Sequence, residues 1–165
     1  METDLTEVEN QPIVYLSGYI AYTLKSHNCN ECKKILTAED HLIVDPIFNY
    51  IQLREWWHHK KSLTYTSLAL CRMVETAVNA FQNGVILKMH ERNICAFCVT
   101  LFTMICDTTW FTCEEHKFIL DVIFNRLARL LIRRQCYRVN QKYREQEQNV
   151  IDKNKRVEQR GSLKK

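Results

Sequence analysis

The stretch Tyr15-Leu-Ser-Gly-Tyr-Ile-Ala-Tyr-Thr-Leu-Lys-Ser-His-Asn-Cys-Asn-Glu-Cys32 joins an apolar helical segment to a Cys-x-x-Cys pair. Two cysteines separated by two residues can turn both sulfurs toward one point, and a second pair of donors then completes the four-coordinate shell that zinc favours. The best partner is Cys113-Glu-Glu-His116, about eighty residues on. Thr112, with Glu115 three residues later, reads as a capping box that places Cys113 and His116 in the exposed first turn of a long helix, nearly on one side. Cys29, Cys32, Cys113 and His116 are therefore the expected ligands of one structural Zn2+. Three thiolates and an imidazole close the shell and leave no position for a substrate, so the metal would serve folding and take no part in hydrolysis.

Other donors compete for this role. His27 lies two residues before the first cysteine pair and reads as a surface group or a neighbour of the ligands. A second Cys-x-x-Cys, Cys95-Ala-Phe-Cys98, would make a four-cysteine site with Cys29 and Cys32. Its surroundings, Ile94, Phe97, Val99, Leu101, Phe102, Met104 and Ile105, are apolar almost all round a helix, which makes Cys95 and Cys98 core thiols. Cys71 reads as a small buried hydrophobe. In Trp56-Trp57-His58-His59-Lys60-Lys61 the adjacent histidines do not share a helical face, so one ion would not reach both.

The chain of 165 residues is one domain in length, and three Gly and two Pro favour helices with short connections over a turn-rich β architecture. Eight cysteines are many, but Met1 to Asn10 is acidic and carries no apolar signal core, which points to a reducing compartment. No apolar run reaches membrane-spanning length; the longest, Ile94 to Cys106, is interrupted by threonines and suits a buried helix. Of the 23 basic residues thirteen fall between 126 and 165, against four of the 19 acids. Such a basic C-terminal third suits a polyanion, most simply nucleic acid, or else a solvated helix and tail.

In order along the chain, residues 1–11 have little to bury and are expected to be disordered. Ile13, Leu16, Ile20 and Leu24 share one helical face, with Gly18 kept for a close contact. A short helix is expected from Pro46. Ser67 caps a helix from Leu68 to Gln82 that buries Leu70, Val74, Ala77 and Phe81 and stops at Asn83-Gly84. The last helix buries Ile119, Val122, Ile123, Leu127, Leu130 and Leu131. Arg126, Arg129 and Arg133 share another face, with Arg134 and Arg138 in a neighbouring row, as phosphate-contacting residues would. Tyr143, Val150 and Val157 keep a seven-residue beat, but few apolar residues fill the positions between, so residues 139–165 read as a basic tail, helical or disordered. The expected fold is all-α: an irregular helical domain over 12–138 with one structural zinc site and a long C-terminal helix.

Several stretches together resemble the C-terminal helical region of P-element-type DNA transposases, the group that includes the THAP-domain transposases. Tyr15-Leu-Ser-Gly-Tyr-Ile20 is similar to that group's Tyr-Ile-Ala-Gly-Tyr-Val and is followed by Cys29-x-x-Cys32. Lys61-Ser-Leu-Thr-Tyr-Thr-Ser67 stands where the group tends to have Gly-Gly-Leu-x-x-Pro-Ser, with Lys61 and Ser62 for the glycines and Thr66 for the proline. Cys113-x-x-His116 leads into Ile123-Phe-Asn-Arg126. In order, the matches cover most of residues 13–138. The resemblance implies that the RNase H-like catalytic core and the zinc-coordinating DNA-binding module lie upstream of the matched region, so that the chain begins just past the last catalytic carboxylate.

Two-metal phosphoryl transfer needs converging carboxylates, whereas Asp40, Asp45, Glu55, Glu75, Asp107 and Asp121 fall on different expected elements. No Gly-rich phosphate loop, nucleophile elbow or His-Glu-x-x-His is present. The expectation is a truncated or host-retained transposase fragment, non-enzymatic alone and nuclear. It would bind DNA or associate with a related transposase or itself, without a membrane or small-molecule substrate. The rival from another class is a helical protein-interaction module with merely buried thiols; a weaker one is a metal-dependent hydrolase using His58, His59 and the scattered acids.

Overall fold

The structure, a computed structural model, describes residues 5–24, 27–38 and 65–162, with side chains only within 13–156. The helix expected from Pro46, and His58 and His59, lie outside these residues. Among the described residues the fold is all-α: α1 (Leu5–Thr23), α2 (Asn30–Leu36), α3 (Leu68–Ala80), α4 (Ile94–Ile105) and α5 (Phe118–Ser162), with shorter helical turns between. The chain divides into two compact units, Met1–Arg129 and Leu130–Lys165, so the boundary falls inside α5. No helix among the described residues is long and apolar enough to cross a membrane.

Helix α1 begins at Leu5, where disorder was expected. The buried stripe is Val14, Ser17, Gly18, Ile20, Ala21 and Leu24, rotated from the expected one because Ile13 and Leu16 are only half-buried. Its small residues allow the close packing of α1 on α3, where Val14 meets Cys71. The buried Ser17 hydroxyl is satisfied by donating to the Ile13 carbonyl at 2.8 Å.

Ser67 caps α3 as expected, its Oγ accepting from the Leu70 amide at 3.3 Å. Just before it, Thr37 and Thr66 form an isolated antiparallel bridge that ties the end of α2 to the start of α3. Asn83-Gly84 does not stop the chain. The helix widens into a π turn over Phe81–Val85 and a 3-10 turn over Ile86–Lys88, with no glycine at positive φ. The wider turn lets both Phe81 and Val85 enter the core.

Helix α4 corrects another expectation. Cys98 and Phe102 are its buried residues, while Phe97, Met104 and Ile105 are exposed, Met104 at 78%. A helix packed on one side buries one stripe whatever its composition, so an all-apolar sequence leaves apolar side chains outside. Cys95 is half-buried and Cys98 fully buried. Burial alone pushes the Cys106 thiol up to about 11, and it donates to the Met73 carbonyl at 3.6 Å, holding the end of α4 to α3.

In the first unit α5 buries Ile119, Ile123, Phe124, Leu127 and Ala128, with Val122 half-buried. The Phe124 and Phe102 rings lie 6.2 Å apart, both fully buried. Each such side chain contributes about 1.5–3 kcal/mol by leaving water. In the second unit Leu131 is buried and Leu130 half-buried, and the helix continues unbroken through residues 139–162.

Candidate metal centre

The first donors come from the turn after α1 and the start of α2. The His27 amide donates to the Leu24 carbonyl at 2.9 Å, which ties it to the end of α1. Cys29 then occupies the N-cap of α2 with extended backbone, and Cys32 follows within the first turn. The backbone amide of Cys32, helped by that of Glu31, holds the Cys29 thiol below its ordinary range, although neither closes a full capping hydrogen bond. Cys32 is 1% exposed, and burial, with Cys113 and Cys29 beside it, pushes its thiol up to about 12.

The second donors sit on a different device from the expected one. The capping box does not form: Cys113 is the N-cap of a 3-10 turn, Glu114–His116, and α5 starts only at Phe118. A 3-10 turn has three residues per turn, so positions i and i+3 eclipse. That stacks Cys113 under His116 and brings Sγ to 3.2 Å from Nδ1. Cys113 points inward, 2% exposed, and burial raises its thiol as well. The strand-like φ and ψ of an N-cap allow this inward turn, whereas the first turn of an α-helix would have left the thiol exposed.

The two halves meet. Cys29 Sγ lies 4.0 Å from Cys113 Sγ, and the donor atoms of His27, Cys29, Cys32 and His116 all lie within 4.8 Å of one another. Zn–S bonds of about 2.3 Å and Zn–N bonds of about 2.0–2.1 Å, set tetrahedrally, put sulfurs about 3.8 Å apart and sulfur and nitrogen about 3.5 Å apart. The separations of 4.0 and 3.2 Å straddle these edges within a few tenths of an ångström. All eight cysteines are free thiols. Three of the four residues expected from the sequence, Cys29, Cys32 and His116, are therefore brought together with His27 within reach of one metal ion, and Cys113 stands beside them against Cys29 and His116.

His27 is the donor the sequence reading set aside. Its ring stands edge-on to that of His116, centroids 4.3 Å apart, and the Phe118 ring lies 6.1 Å from it and 5.9 Å from His116. Its Nε2 is buried and has no hydrogen-bond partner. A buried ring nitrogen without a partner costs free energy unless something satisfies it, and an ion in this cluster would. The cluster thus offers four donors, two thiols and two imidazoles, with the Cys113 thiol beside it as a fifth candidate for a four-coordinate ion. The signal was the spacing His-x-Cys-x-x-Cys, which a lone histidine does not make specific.

Other expected groups lie elsewhere. Among the described residues no second cluster of three or more His, Cys, Asp or Glu forms, and Cys95 and Cys98 are not part of this one. In the first unit Arg126 and Arg129 line a shallow surface pocket with Asp121, Val122 and Asn125, and Arg126 Nη1 is buried without a partner. In the second, Arg133, Arg134 and Arg138 are exposed. Compared with protein-family models, with curated proteins and with solved structures, the chain matches none of them.

Proposed function

We propose that this chain is a zinc-clamped helical module of the kind found at the C-terminal end of P-element-type transposases, non-catalytic by itself, whose basic residues bind DNA in the nucleus. The observation that carries this reading is the convergence of Cys29 and Cys32 with Cys113 and His116, the two metal-ligand pairs among the stretches that resemble that group. A closed shell of thiolate and imidazole suits Zn2+ and a structural role. The ion would cross-link the turn after α1 to the turn before α5. Structural zinc is worth about 10–16 kcal/mol in small folded modules, so this clamp would dominate the stability of the first unit. Arg126 and Arg129 of the first unit and Arg133, Arg134 and Arg138 of the second supply the phosphate contacts.

Two measurements test the proposal. Purified chain should contain about one zinc, and Cys29→Ala with Cys32→Ala should abolish it; folded protein free of metal would overturn the clamp. Binding to a duplex of arbitrary sequence should weaken with salt at a logarithmic slope of about −4.5 if five phosphates are contacted, roughly 500-fold between 50 and 200 mM. Binding that is undetectable or insensitive to salt removes the DNA reading. Magnesium-dependent cutting or joining of transposon-end DNA would overturn the non-catalytic part. A second reading, a helical protein-interaction module, is favoured by the exposed Leu87, Phe97, Met104 and Ile105; metal-free folded protein would support it.

A further inference from the structure

We infer that the second unit is the self-association element of this protein: residues 132–150 of α5 form a parallel, in-register two-stranded coiled coil with a second copy of the chain. The segment after Leu131 is one helix with a largely exposed surface, and a helix in a protein gains most of its stability from packing an apolar face. The face exists. Setting Cys136, Tyr143 and Val150 at a positions puts Ile132, Val139 and Gln146 at d, an apolar seam with one polar layer. Val139 is 39% exposed, Tyr143 64% and Val150 57%, so the seam is open from Cys136 onward, with Ile132 half-buried at its start.

Charge decides the occupant and its direction. In a parallel pair each g residue faces the e residue of the next heptad on the partner helix. Lys142 at g then faces Glu147 at e, an opposite-charge pair made twice by symmetry, and the other pairs, Gln135 with Asn140 and Asn149 with Asn154, are uncharged and compatible. An antiparallel pair sets g against g and e against e and loses the Lys142–Glu147 match. Gln146 at d can hydrogen-bond to its own mate only in register, which is how a single polar core residue selects one alignment. Cys136 at a would then lie beside its own mate and reports the register. The inference rests on the second unit alone and needs neither the zinc nor the DNA reading.

The test uses the full, zinc-supplemented chain. Sedimentation equilibrium should show a dimer that Tyr143→Glu with Val150→Glu converts to monomer, with metal content unchanged. Lys142→Glu should weaken the dimer about fivefold, since it turns both symmetric charge pairs repulsive, and Lys142→Glu with Glu147→Lys should restore it. Mild oxidation with diamide should cross-link the wild type through Cys136, mapped by mass spectrometry, and Cys136→Ser should not cross-link. A chain still monomeric at about 100 μM overturns the proposal. So does a dimer indifferent to Tyr143→Glu with Val150→Glu. A dimer without the Cys136 cross-link, or without rescue by the charge swap, overturns the parallel register.

Discussion

Removing Cys113 separates the two ways in which five donors can fill four positions. In Cys113→Ala the cluster keeps His27, Cys29, Cys32 and His116, whose donor atoms already lie within 4.8 Å of one another, so the variant still binds one zinc. If the apparent 10–16 kcal/mol of a structural site is shared among four ligands, each is worth about 3 kcal/mol, or about two orders of magnitude in affinity. Replacing a thiolate by the His27 imidazole recovers part of that, so the expected weakening is about tenfold to a hundredfold. The double variant, Cys113→Ala with His27→Ala, has three donors and falls by a further factor of about a hundred. Competition against a chromophoric chelator measures both steps, and Co2+ substitution reads ligand type, since the thiolate charge-transfer band scales with the number of sulfurs bound. A band equal to wild type in Cys113→Ala would remove Cys113 from the shell. A double variant that binds as tightly as Cys113→Ala would show that His27 is not a substitute.

The remaining predictions concern the fold. Phe124→Ala, which empties a fully buried site against Phe102, should cost about 3–5 kcal/mol in denaturant unfolding of the zinc-loaded chain, while Met104→Ala should change stability by less than about 0.5 kcal/mol. Ser67→Ala, which removes the acceptor for the Leu70 amide, should cost about 1 kcal/mol. The core thiols Cys98 and Cys106, each pushed up to about 11 from 9.0 by burial, keep their protons in the folded state after the unfolded chain has released them. Their contribution is therefore complete below about pH 9 and is lost as pH rises toward 11, roughly 2–3 kcal/mol per thiol at most. Cys98→Ala with Cys106→Ala should flatten that alkaline slope in a series of unfolding measurements at fixed zinc.

What the sequence revealed and what it hid follow from how local each signal is. Cys29, Cys32 and His116 were legible as parts of one cluster because donor identity and spacing are properties of the chain itself, whereas His27, which joins them, was not. Ser67 was legible for the same reason: a cap acts over three residues. The stop at Asn83-Gly84 failed because the packing of Phe81 and Val85 favoured a wider turn, and tertiary packing outweighs a turn preference worth about 1 kcal/mol. The capping box at Thr112 and Glu115 failed because Cys113 occupies the N-cap itself and faces inward. The buried face of α4 was illegible because its sequence is apolar all round, so periodicity carries no phase. The acidic start of α1 offered nothing to bury, yet helix continues into it from a packed segment, where propagation costs far less than nucleation.

The same cluster makes metal binding a proton-release reaction, and the number released counts the thiols that bind. Zinc takes thiolate, so every cysteine that holds its proton in the metal-free site must lose it on binding. Cys32, pushed up to about 12, and Cys113, raised by burial, are both fully protonated at pH 7. Cys29 is lowered by the Cys32 amide and loses a fractional proton or a whole one. Uptake by the three-thiolate shell should therefore release more than two protons near neutrality. Affinity then rises at least about a hundredfold for each unit of pH, since each proton released contributes a factor of ten. Cys113→Ala, holding zinc through Cys29, Cys32 and the two imidazoles, should release one proton fewer. Calorimetry in buffers of different ionisation enthalpy counts these protons directly. A release below one proton per zinc in the unaltered chain would mean that the buried thiols 32 and 113 are not the groups the metal displaces, and the clamp between the two halves of the first unit would have to be abandoned.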